Sequence, residues 1–96
     1  MSKQKVIRKS LLSNTPTKFS YNIRGSKFLI KNFTQGSIYV TLEDIDTVDK
    51  DTSIKINSGY AQIVFINDNM SLENTTDVLT VMSEYGGEVE CQVLTW

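Results

Sequence analysis

Five carboxylates fall within the nine residues of Glu43–Asp51, EDIDTVDKD, in a 96-residue chain that carries no acid before Glu43. Oxygen ligands packed this closely could hold a calcium ion, but the order an EF-hand needs is missing. Counting from Asp44, Asp46 meets the third position. Val48 then stands at the fifth, Asp49 where the sharp turn requires glycine, and Lys55 in place of the bidentate glutamate at the twelfth. A solvated turn between two strands is the simpler expectation for residues 43–51.

Glu88 and Glu90 form a second acidic pair, which an extended strand would hold on one face about 7 Å apart. That separation is compatible with the acid and base of an inverting glycosidase, yet on a solvent-facing strand the same pattern serves solubility. The chain contains no histidine, so it lacks the commonest general base and metal ligand. RGSKF and QGSIY lack the G-x-S-x-G frame of a nucleophile elbow, and neither a phosphate loop nor a dinucleotide fingerprint occurs. The sequence therefore points away from an enzyme and nominates no catalytic residue, cofactor or metal-ligand set.

Aromatic rings are the remaining chemistry. Tyr39, Tyr60, Tyr85 and Trp96 are candidates for a platform that stacks on a carbohydrate or another ligand, although most rings in a strand-rich chain serve the sheets themselves. Counting in twos from Glu88 through Glu90 and Gln92 reaches Leu94 and Trp96, so a polar strand face turns apolar there. Such a patch suits contact with another subunit, and packing under the chain's own loops would give the same pattern.

The elements that must position these groups follow a period of two rather than 3.6. Phe19, Tyr21 and Ile23 alternate with polar residues in TKFSYNI, as a half-buried strand requires. KFLIKNF and SIYVTL read as a hairpin around TQGS, where Gly36 permits a tight turn. TSIKIN and YAQIVFI flank Ser58 and Gly59, and the apolar residues on both faces of IVFI predict a strand covered on both sides. NDNMSLENTTD, Asn67–Asp77, reads as a long surface loop, and VLTVMSEYGGEVECQVL as a hairpin around Gly86 and Gly87 with Cys91 pointing inward. About seven short strands result, the pattern of a single antiparallel β-sandwich of jelly-roll or immunoglobulin-like form.

Residues 1–16 fit neither period cleanly, and Pro16 ends any element that reaches it. The expected division is a basic N-terminal arm over 1–16, either flexible or added as a strand to the edge of a neighbouring sheet, and a sandwich over 17–96. All eight cations of the first 31 residues stand without an acid, whereas residues 32–96 hold all 11 acids against Lys50 and Lys55. Residues 18–31 suit basic strands paired beside acidic ones in one sheet. For the arm, Lys3, Lys5, Arg8 and Lys9 are candidates for contact with nucleic acid or for docking on an acidic partner. Together with Leu94 and Trp96 they make up the candidate interaction residues. One cysteine allows no intrachain disulfide, and with no signal-peptide core and no apolar run near the roughly 20 residues that cross a bilayer, a soluble protein is expected.

GSKFLIKNFTQGSIYV, SIKINSGYAQIVFIN and GGEVECQVL, within Phe19 to Leu94, resemble in strand texture, turn placement and size the small all-β proteins encoded among virion structural genes of tailed bacteriophages of Gram-positive hosts. The resemblance implies a β-sandwich component of a capsid, neck or tail and brings no functional residues with it. The leading expectation is a non-enzymatic assembly protein that forms homo-oligomers or docks on other virion proteins, located in the virion, or in the cytoplasm if not phage-encoded. A carbohydrate-binding or other ligand-binding sandwich is the alternative. Nucleic acid, through an OB-like use of residues 3–31, ranks below both, and no membrane contact is expected.

Overall fold

The computed structural model describes residues 5–66 and 75–95. Every regular element in them is a strand: β1 (Val6–Leu11), β2 (Thr17–Gly25), β3 (Lys27–Asn32), β4 (Ile38–Thr41), β5 (Ile54–Ile56), β6 (Ala61–Phe65), β7 (Thr76–Ser83) and β8 (Gly87–Thr95). They form two four-stranded antiparallel sheets. Sheet A runs β1-β8-β3-β6 and sheet B runs β2-β7-β4-β5. The first strand pairs with the last, the second with the seventh, the third with the sixth and the fourth with the fifth. The chain is thus one long hairpin rolled on itself, which is the double-Greek-key jelly roll. Of the two sandwich forms expected, this topology selects it over the immunoglobulin-like one.

Eight strands replace the expected seven because Val6–Leu11 belongs to the sandwich. The boundary between arm and sandwich therefore does not fall at residue 17. Ile7 and Leu11 enter the core, but Lys9, which shares their side of β1, breaks the apolar alternation. Its stem reaches out over Phe19, with Nζ 5.6 Å from the ring centroid, and donates to the Lys18 carbonyl at 2.7 Å. A lysine that places its head at the rim in this way looks polar in sequence while behaving as part of the inner face.

The hairpins expected around TQGS and GG are not formed. β3 and β4 lie in different sheets, as do β5 and β6, and β7 and β8. A tight turn reverses the chain, but it does not decide which sheet the next strand joins. Each strand goes where its apolar side is buried, and here that alternates between the layers. β4 and β5 are paired as neighbours in sequence, and the acidic stretch is the connection between them. Of the expected loop Asn67–Asp77, residues 67–74 lie outside the described residues, and Thr76 and Asp77 already belong to β7.

The core fills the space between the sheets. Phe28, Ile30, Val64, Val89, Cys91 and Val93 from sheet A meet Phe19, Tyr21, Ile38, Val40, Ile56, Leu79 and Val81 from sheet B. Full burial of an aliphatic or phenyl side chain contributes about 1.5–3 kcal/mol. Cys91 points inward as expected and is fully buried. The Tyr21 hydroxyl crosses the layers and donates to the Cys91 carbonyl at 2.6 Å. Burial pushes the pKa of both the phenol and the thiol upward, so each stays neutral. Among the described residues no helix is long and apolar enough to cross a membrane.

Candidate functional site

The two outer faces of the sandwich differ. On sheet B, Tyr39, Thr80 and Met82 sit on strand positions that alternate with the core, yet they are only 6%, 0% and 7% exposed. The connection between β4 and β5 reaches Thr80 and Tyr39. Thr80 Oγ1 donates to the Glu43 carbonyl at 2.7 Å and accepts from the Ile45 amide at 3.3 Å. Lys50 Nζ lies 5.5 Å from the Tyr39 ring centroid, and Lys18 of β2 reaches Asp44 at 2.6 Å and Asp46 at 3.1 Å. The acidic segment is a cover whose carboxylates face water while its backbone closes one sheet. Among the described residues no group of three or more potential ligands could hold a metal ion.

Tyr39 does not join a platform. Its hydroxyl donates to Glu84 Oε1 at 2.6 Å, and that hydrogen bond raises the phenol's pKa. The cover that removes it from solvent comes from a segment whose composition reads as a solvated turn.

No described segment covers sheet A in this way. Strand registers place Val6, Gln92, Leu29 and Ile63 in one cross-strand row, and Arg8, Glu90, Lys31 and Ala61 in the next. Val6, Ile63 and Phe65 are 45%, 51% and 54% exposed. In the polar row the Glu90 side chain, only 8% exposed, lies between Arg8 Nη2 at 2.7 Å and Lys31 Nζ at 3.3 Å. The Arg8 hydrogen bond leads the causes that hold this carboxyl below its ordinary range. Glu88, on the same side, lies 3.7 Å from Arg8. Glu88 and Glu90 are therefore not a free acid pair, and Glu90 is a buried partner of two cations rather than a solubility group.

A second exposed surface lies at the end of the sandwich where the connections 12–16, 33–37, 57–60 and 84–86 meet. Hydrogen bonds tie them together: Ser13 Oγ to the Glu84 carbonyl at 2.7 Å, the Glu84 amide to the Ser37 carbonyl at 3.3 Å, and Ser58 Oγ to the Thr34 carbonyl at 2.6 Å. Leu12, Phe33, Tyr60 and Tyr85 project there, between 55% and 73% exposed. Phe33 is held out between two buried residues. The Asn32 side-chain amide donates to the Gly36 and Ile56 carbonyls at 2.9 and 3.0 Å, and its Oδ1 accepts from the Thr34 backbone amide and hydroxyl at 2.8 and 2.7 Å. Tyr85 lies on Gly36, where a Cβ would come within 2.3 Å of the ring. A shallow cavity of about 360 Å³ opens between Phe33 and Tyr85. A larger one of about 440 Å³, at the foot of the β4–β5 connection, is lined mainly by Val40, Leu42, Ile45, Ile54, Phe65 and Ile66 with Glu43 and Asp49 at its rim.

Four of the six residues nominated for interaction, Lys5, Arg8, Lys9 and Leu94, lie among the described residues. Lys3 and Trp96 lie outside the described residues. Lys5 is exposed just before β1, and its carbonyl accepts from the Val93 amide at 2.8 Å. Arg8 and Lys9 are engaged within the fold, and Leu94 is half-buried where the β3–β8 register shifts. Among the platform candidates, Tyr60 and Tyr85 share an end. Phe33, Ile63 and Phe65 are not among the nominated residues, and the signal for the last two is the run IVFI, apolar on both faces. Comparison with known proteins finds no matching family model and no match among curated proteins or solved structures.

Proposed function

We infer that the protein is a non-enzymatic structural protein that works by docking through the outer face of sheet A. One observation carries this reading: Ile63 and Phe65 are about half exposed on a strand that also buries Val64 in the core, whereas the other sheet is closed by a segment of the chain itself. Apolar side chains repeated on both sides of a strand fit cover on both sides. The jelly roll occurs in capsid domains and in lectins, so the fold alone does not choose between assembly and ligand binding. The resemblance to small phage virion proteins supports assembly as the setting, with other copies or other virion components as partners. Sedimentation velocity on Phe65→Lys tests the reading. Loss of the association made by the unsubstituted protein is expected, and an unchanged association would overturn it.

One observation favours a second reading, a ligand-binding module at the loop end. The Asn32 network holds Phe33 in solvent beside Tyr85, and among the described residues none that is charged lines the cavity between them. Ring faces beside neutral polar groups suit the C–H face of an uncharged sugar. Titration of neutral oligosaccharides monitored by NMR shifts at Phe33 and Tyr85 tests it, and the absence of saturable shifts would dismiss it.

A further inference from the structure

The exposed outer face ends at β6, and the open edge of that strand identifies its partner. β6 hydrogen-bonds to β3 on one side: the Asn32 backbone amide donates to the Tyr60 carbonyl at 3.0 Å, and the Ile66 amide to the Ser26 carbonyl at 3.0 Å. In an antiparallel ladder alternate residues face the same neighbour, so Gln62 and Val64 also turn their backbone groups to β3. The amides and carbonyls of Ala61, Ile63 and Phe65 point the other way, where β6 has no neighbouring strand among the described residues.

Edge strands are ordinarily guarded against pairing by charge or proline. β1 carries Arg8 and Lys9, β2 carries Lys18 and Arg24, and β5 is only three residues long with Lys55 at its centre. β6, Ala-Gln-Ile-Val-Phe, has neither charge nor proline.

We propose that two copies of this chain join through β6, antiparallel about a two-fold axis at Ile63, so that the two copies of sheet A become one continuous eight-stranded sheet. This rests on the reading of the outer face as a docking surface and adds the partner and the register. Centred on Ile63, the free backbone groups of Ala61, Ile63 and Phe65 meet those of Phe65, Ile63 and Ala61 in the second copy, about six hydrogen bonds in all. The side chains fit in the same register. Phe65 faces the small Ala61 of the other copy, and the two Ile63 side chains face each other with Cα atoms about 5.5 Å apart. Leu29 already lies opposite Ile63 within each sheet, so a row of four aliphatic side chains crosses the axis. A two-fold contact closes on itself and gives a dimer rather than a fibre.

The test uses Ile63→Lys and Ile63→Glu, separately and mixed, with molar mass read by light scattering. Position 63 faces solvent, so the monomer fold is expected to survive, which circular dichroism checks. Each variant alone is expected to lose the dimer, because like charges would meet across the axis, and the equimolar mixture to regain it. A dimer that persists in Ile63→Lys, or a mixture that stays monomeric while the unsubstituted protein is a dimer, overturns the two-fold register and leaves the broader docking reading standing. A strictly monomeric unsubstituted protein overturns the pairing of two copies and leaves docking on a different protein standing. Should either variant fail to fold, Ile63→Cys decides. Oxidation is expected to link two chains at residue 63, with Val6→Cys as an unlinked control, and absence of the link overturns the pairing.

Discussion

Arg8 of the first sandwich strand donates through Nη2 to Glu90 of the last at 2.7 Å, across the register in which the two residues are direct partners. Lys31 closes on the same carboxylate from the other side, so the basic first third of the chain and its acidic remainder meet within one sheet. Part of the charge asymmetry of the sequence is thereby paired within the fold. Arg24 with Asp77 and Lys18 with Asp44 repeat the pattern on sheet B.

Glu90→Gln is expected to lower stability by about 1–2 kcal/mol, the range for a charge-assisted hydrogen bond with one exposed partner. The folded protein holds the carboxyl below its ordinary value of about 4.5, so it binds that proton more weakly than the unfolded chain does. The contribution is therefore complete above pH 4.5 and is lost as pH falls through the lower folded value. Chemical denaturation at pH 7 and in that acid window checks this. The stability difference between the unsubstituted protein and the Glu90→Gln variant should narrow on acidification.

Thr80→Val keeps the shape of a fully buried side chain but leaves the Glu43 carbonyl and the Ile45 amide without their partner. A loss of about 1–3 kcal/mol is expected. Limited proteolysis within residues 43–51 should accelerate, because the cover over Tyr39 loses its anchor.

Asn32→Ala and Phe33→Ala separate structure from surface. Removing the side-chain amide of Asn32, a residue only 1% exposed, breaks four hydrogen bonds and is expected to cost about 2–3 kcal/mol. Removing the adjacent exposed ring should change stability by less than about 0.5 kcal/mol. Thermal melts of the two variants check the contrast, and an equally large loss for Phe33→Ala would assign the ring to packing.

Cys91 is fully buried, and burial raises its thiol pKa. A thiol reagent should therefore leave it unmodified at pH 8 in the native state and label it only as the protein unfolds. Labelling rates with and without denaturant measure this.

Where the period of two is clean, the sequence is readable. Phe19, Tyr21 and Ile23 in β2 and Val89, Cys91 and Val93 in β8 lie in the core as their spacing requires. β1 is hidden by Lys9, an inward position filled by a side chain whose head escapes to the rim. The sheet changes at Gly36 and Gly86 are not readable, because turn chemistry is local while the choice of sheet depends on partners far along the chain. Tyr39 and Glu90 mislead for a related reason: what buries Tyr39 is a segment whose composition says solvent, and what buries Glu90 is a cation from the opposite end of the sequence.

Molar mass in solution, by size-exclusion chromatography with light scattering at low and high salt, tests the central claim that two copies of the chain join through sheet A. An apolar, backbone-paired contact is insensitive to screening, so a dimer is predicted at both salts. A monomer at both, or an oligomer that dissolves as salt is added, would contradict it.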